Sequence, residues 1–181
     1  MRPRKLIFLA FSLWLLGSAN LGRTQVPQLS EYQIKAAFLY NFGRFVDWPA
    51  AAFTDGKSPF IFGILGVNPF GKILDQSFAG KILNGHPVVV QVIHSLPDAA
   101  HCQILFISSS EKDHLAKVIQ GLHAACVLTV SENDQFIEAG GMINFVTIDN
   151  KVRFQINDEA AKAAQLKISS KLLGLAVSST N

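Results

Sequence analysis

The chain has 181 residues, 49% hydrophobic and 16% charged, which excludes a mainly disordered chain and supplies enough apolar mass for one packed domain. The formal net charge is +3, but Arg2, Arg4 and Lys5 stand ahead of an apolar run, and without them basic and acidic residues balance at 13 each. The sequence pI of about 9.0 is therefore no warrant for nucleic-acid binding, which needs a clustered basic face.

The run Leu6 to Leu16 is apolar except for Ser12 and leads into Gly17, Ser18 and Ala19. Basic start, apolar stretch and small residues in that order predict a signal peptide over residues 1–19, cleaved after Ala19. The run in a helix spans about 16 Å, too short for a hydrocarbon core of about 30 Å. The expected mature protein is exported, and a bacterial periplasm is its expected location. Residues 20–29 lack periodicity, contain Pro27 and read as a flexible lead.

Ser30 followed by Gln33 is a capping box, with Glu31 in the favourable first turn. Ile34, Ala37, Phe38, Asn41, Phe42 and Phe45 continue at helical steps. Pro49 disfavours helix in the residue before it, so the helix is expected to stop near Trp48. Phe60 to Val67 is continuously apolar, as in a parallel strand buried on both faces. Pro69 to Ala79 reads as a helix. Pro87 to Ile93 and Gln103 to Ile107 read as strands, Glu111 to Ala124 as a helix and Val127 to Val130 as a fourth strand. Gly141 to Ile148 and Lys151 to Ile156 flank Asp149-Asn150, a hairpin turn that tolerates positive φ. Asn157-Asp158 should cap a last helix reaching Ala176, bent near Ser169 and Ser170.

The expected fold class is α/β: a mostly parallel sheet with helices on both faces, ending in an antiparallel hairpin and a C-terminal helix. One domain is expected over 30–177, with residues 178–181 as a tail.

Reactive chemistry is sparse. The turn from Gly63 to Gly71 has neither the G-x-G-x-x-G spacing nor a P-loop, so Gly66 is expected to serve a tight turn. The histidines, His86, His94, His101, His114 and His123, form no H-x-x-x-H pair. Ser108 to Ser110 lack the G-x-S-x-G context of a nucleophile and suit a helix cap. No catalytic set, metal site or cofactor is expected. Cys102 and Cys126 are the only cysteines, and each opens a predicted strand. If those strands are parallel neighbours, their starts lie about 4.8 Å apart, within disulfide reach. A disulfide is therefore expected; two buried free thiols are the alternative.

The aromatic residues Phe38, Tyr40, Phe42, Phe45 and Trp48 crowd one helix. A thick core beneath that helix is the favoured reading, and a partner surface is the other.

Glu31-Tyr32-Gln33-Ile34-Lys35-Ala36-Ala37-Phe38-Leu39-Tyr40-Asn41-Phe42-Gly43-Arg44-Phe45-Val46-Asp47-Trp48-Pro49 resembles the opening signature of the YfiR-like family of bacterial periplasmic proteins. Val127 to Ser131, Gly140 to Phe145, Val152 to Asn157 and Leu166 to Leu173 follow in that family's order and spacing. The resemblance covers roughly Glu31 to Ala176. It implies an exported, non-catalytic regulator that holds the periplasmic sensor part of an inner-membrane diguanylate cyclase inactive, lowering cyclic-di-GMP and biofilm formation. It also implies an outer-membrane lipoprotein that can sequester the repressor; a second copy of the chain is a further candidate partner. The repressor that names the family has a cysteine in the strand matching Phe60 to Leu65. That strand has none here, while Cys102 matches its usual partner and Cys126 sits elsewhere.

The residues expected to contact the partner are Arg44, Phe45, Trp48, Pro49, Lys167, Ile168 and Leu172, which combine the resemblance with surplus apolar area. The alternative function is a periplasmic small-ligand binding protein, suggested by the α/β layers and the glycine turn.

Overall fold

The computed structural model describes residues 30–178; the expected signal peptide, the lead and nearly all of the tail lie outside the described residues. The helices are α1 (Glu31–Phe45), α2 (Ile73–Phe78), α3 (Leu96–Ala99), α4 (Leu115–Leu122), α5 (Asp158–Ala163) and α6 (Ser170–Leu173). The strands are β1 (Val46–Asp47), β2 (Phe60–Leu65), β3 (Ile82–Leu83), β4 (His86–Ile93), β5 (Ile104–Ile107), β6 (Leu128–Ser131), β7 (Ile143–Ile148), β8 (Lys151–Ile156) and β9 (Lys167–Ile168).

Seven strands form one sheet in the order β3-β4-β2-β5-β6-β7-β8, parallel from β4 to β7 and antiparallel at both edges. The expected mixed α/β class is what the chain adopts. β2, β5 and β6 are almost wholly buried because alternate residues enter two different cores. Phe62, Ile64, Ile104 and Phe106 face the layer with α1, α2, α5 and α6, where Phe42, Phe145 and Phe154 also lie. Leu65, Leu105 and Ile107 face α3 and α4 and meet Val118, Leu122 and Phe136. Two-sided burial is what makes β2 and β5 read as unbroken apolar runs.

The capping box forms as expected: Ser30 Oγ accepts the Gln33 N–H, and Gln33 Oε1 accepts the Ser30 N–H at 2.7 Å. The hairpin turn forms too, with Asp149 and Asn150 at φ 50° and 56°. Gly66 serves a tight turn at φ 88°, where a Cβ would come within 2.3 Å of Ser110 Oγ.

Four expectations are corrected. Helix α1 ends at Phe45, not near Trp48, because Val46–Asp47 leaves to pair antiparallel with Lys167–Ile168. Only Ile73–Phe78 of the expected 69–79 helix is α-helical. The expected 111–124 helix opens with a 3-10 stretch, Ser109–His114, capped by Ser108 Oγ. The long last helix is broken in two: Gln165 turns at φ 61°, β9 runs extended, and Ser169 caps the separate α6.

Candidate functional site

The break in the last helix brings basic and aromatic side chains together on one surface. Because β9 pairs with β1, with Val46 opposite Ile168 and Asp47 opposite Lys167, the C-terminal end of α1 is held against α6. The Ser169 N–H donates to the Phe45 carbonyl at 2.9 Å. Arg44, Lys167 and Lys171 are exposed, and Phe45 is half-buried. The Arg44 guanidinium lies 5.8 Å and the Lys171 ammonium 5.2 Å from the centre of the Phe45 ring. Asp47 is the acidic member of this group, and Leu175 beyond α6 is 59% exposed. Three cations, one carboxylate and an aromatic ring suit a partner with an acidic surface.

The residues expected to touch a partner divide accordingly. Arg44, Phe45 and Lys167 come together on this patch. Pro49 is half-buried at its margin in sequence. Trp48 is half-buried, stands edge-on to Phe60 with ring centres 5.0 Å apart, and donates Nε1–H to the Gln103 carbonyl at 3.2 Å. Its packing ties β1 to the start of β5. Ile168 and Leu172 are 5% and 2% exposed: expected on the surface, they are core residues that anchor β9 and α6. Sequence reasoning missed Lys171, although its place just after the Ser169 cap, in the first turn of α6, was a usable signal.

The aromatic helix resolves mainly as core. Phe42 is fully buried and stacks with Phe38 and Phe145, with Phe154 edge-on at 5.2 Å. Phe38, Tyr40, Phe45 and Trp48 are partly buried against the same core.

Cys102 and Cys126 stand two residues before Ile104 and Leu128, which are register partners on parallel β5 and β6. The Leu128 N–H donates to the Gln103 carbonyl at 2.9 Å, so the strand starts are neighbours, and both cysteines line one recess of about 200 Å³. The thiols are unbonded in this structure, in contrast to the expected disulfide. Burial, reinforced by the charge of Asp98, pushes the Cys102 thiol up to about 12, so it is a poor nucleophile at neutral pH.

The histidines lie on separate elements. His86 stacks on Phe53 with ring centres 4.0 Å apart and holds the Ser58 carbonyl at 2.6 Å. His114 reaches Glu111 at 3.6 Å, and His94, His101 and His123 are exposed. Among the described residues no group of three His, Cys, Asp or Glu is placed to hold a metal ion, and no helix is long and apolar enough to cross a membrane.

The chain resembles a solved structure, a conserved domain protein from Vibrio cholerae O1 biovar El Tor strain N16961, at 13% identity and a TM-score of 0.56. The match covers 83% of this chain and 60% of that one, so the chain spans under two thirds of that relative, and the likeness concerns the fold. No curated protein matches. The YfiR/HmsC-like family model matches residues 32–177, nearly all of the described chain: the protein belongs to the YfiR/HmsC-like family, whose association is with periplasmic regulation of the cyclic-di-GMP pathway.

Proposed function

We propose that the protein is an exported, non-catalytic repressor that binds the periplasmic sensor part of an inner-membrane diguanylate cyclase and lowers cyclic-di-GMP and biofilm formation. Family membership supports the pathway. The observation that carries the binding mode is the basic aromatic patch, in which Arg44 and Lys171 flank Phe45 and exposed Lys167 stands opposite Asp47 on the adjoining strand pair. The patch faces an acidic surface on the sensor. Exposed cations speed encounter and set orientation, while the aromatic ring and Leu175 supply the apolar anchor. An outer-membrane lipoprotein competing for the same patch would release the cyclase. The test is deletion of the gene and complementation with wild type, Arg44→Glu and Lys171→Glu, with cyclic-di-GMP as readout. A repressor acting through the patch gives raised cyclic-di-GMP in the deletion, rescue by wild type and failed rescue by the folded variants. Unchanged cyclic-di-GMP in the deletion overturns the proposal.

A further inference from the structure

The two edges of the main sheet are built differently. At the β8 edge Lys151 and Arg153 are exposed, and the Val177 N–H donates to the Phe154 carbonyl at 2.9 Å, so the C-terminal segment covers part of the strand. Charge and cover are common means of keeping an edge from pairing with another chain. The β4 edge has neither over most of its length. Short β3 pairs only with its start, Ile82 opposite Pro87 and Leu83 opposite His86, and the Val88 N–H donates to the Lys81 carbonyl at 2.9 Å. From Val89 to Ile93 no strand lies outside β4 among the described residues.

This bare window, Val89-Val90-Gln91-Val92-Ile93, contains no charged residue and no proline. Gln91 is exposed, and Val92 is 47% exposed. Alternation along the strand fixes which backbone groups point outward. The Val88 N–H faces β3, so the N–H and carbonyl groups of Val90 and Val92 face the same way. They have no backbone partner among the described residues.

The window is complementary to itself. Two copies laid antiparallel about a two-fold axis at Gln91 set Val90 of each opposite Val92 of the other, and each such pair exchanges both N–H···O bonds. Gln91 then faces its own counterpart in a non-hydrogen-bonded pair, with Cα atoms about 4.5 Å apart, where the side-chain amides can bond each other. Ile93, the last residue of β4, meets Val89, the first that β3 leaves free. Other registers fit worse. A slip of two residues one way sets Val92 against Val88, whose N–H is taken by Lys81; the other way sets Val90 against His94, past the end of the strand. With no charge in the window, no like charges meet.

We infer that the chain forms a symmetric dimer through β4, the two sheets joining edge to edge with Gln91 at the axis. The occupant of the edge is a second copy of the chain, because the window matches its own reverse in length, register and charge. It shares no residue with the basic aromatic patch, so the inference goes beyond the repressor reading and stands or falls without it.

Sedimentation velocity of the mature protein tests this, with variants at exposed Gln91, where substitution leaves the fold intact. Wild type should be dimeric. Gln91→Lys and Gln91→Glu each bring like charges together at the axis and should each weaken the dimer at least about tenfold, with far-ultraviolet circular dichroism unchanged. An equimolar mixture of the two variants should recover the dimer, because the mixed pair brings opposite charges together. A wild type that stays monomeric up to millimolar concentration overturns the inference and leaves the edge to an extended segment of another protein. A dimer indifferent to both variants overturns it too, as does a mixture that recovers nothing. None of these measurements involves a cyclase, so failure here leaves the repressor proposal standing.

Discussion

Val46 lies opposite Ile168 in the two-stranded β1–β9 sheet, and both side chains are buried in the core beneath α1. One pair of residues thus fastens the helix near the start of the described chain to the segment near its end. Ile168→Ala is expected to destabilise by about 2–5 kcal/mol, the range for a buried aliphatic side chain cut to alanine. Lys167→Glu, next in sequence but exposed, should stay within about 0.5 kcal/mol of wild type. Urea denaturation of the two variants side by side checks the contrast, and equal losses would contradict it.

Phe42 is the centre of the aromatic cluster of Phe38, Phe145 and Phe154. Phe42→Ala should cost about 3–5 kcal/mol. Phe45→Ala should cost less, because Phe45 is half-buried, yet should impair repression more than its stability loss explains. Paired denaturation and cyclic-di-GMP measurements separate the two effects.

The Ser30 cap satisfies a backbone donor at the first turn of α1. Ser30→Ala should lower stability by about 1 kcal/mol, and Ser30→Asp should restore most of it, since a carboxylate caps equally well and suits the helix N-terminus. Thermal melts of both variants test this.

Alkaline pH should loosen the first turn of α1. Lys35 is held above its ordinary pKa by its bonds to Glu132 and Glu31, against the effect of burial. Tyr32 is also raised, by burial first and then by the charge of Glu132. Both groups keep their protons in the folded state at pH values where the unfolded chain releases them. Their contribution is therefore complete below the unfolded pKa values and is lost as pH rises through the folded ones. Stability should fall above about pH 10, and less so in Lys35→Met, measured as urea midpoint against pH.

The matched register of Cys102 and Cys126 predicts that the pair closes into a disulfide under oxidising conditions, adding roughly 3 kcal/mol. The high pKa of Cys102 makes closure slow without a catalyst. Non-reducing mass spectrometry of exported protein should show a mass two hydrogens lower than the reduced form. Two free thiols after full oxidation would contradict this.

What the sequence made legible follows from strength of pattern. β2 and β5 are readable because burial on both faces leaves no polar residue to break the run, and β6 because Thr129 and Ser131 alternate with Leu128 and Val130 in a short β-branched stretch. The hairpin was readable because Asp149-Asn150 is a turn pair with local physical cause. Strands β1 and β9 were not, since two residues carry no periodicity. The break at Gln165 was hidden because glutamine is not a residue that announces a left-handed turn, and propensity gave way to the pairing of Lys167–Ile168 with Val46–Asp47. The patch is half legible: sequence points to Arg44, Phe45 and Lys167, but apolar excess does not say which face of an element it occupies, so Ile168 and Leu172 read as surface although they are core. The junction of Tyr32 and Lys35 with Glu132 is illegible, because only the fold brings the start of α1 against the end of β6.

The pairing of β1 with β9 has a consequence for biosynthesis. A polypeptide emerges N-terminus first, and β2 to β8 can assemble in order behind it. The end of α1 has to wait until Lys167–Ile168 and the α6 segment have followed. The basic aromatic patch is therefore the last part of the molecule to exist, and any product truncated before Lys167 lacks half of it. A protein built this way completes its basic aromatic patch only once the segment through Lys171 has been made, so on the proposed reading partial chains compete for no cyclase sensor.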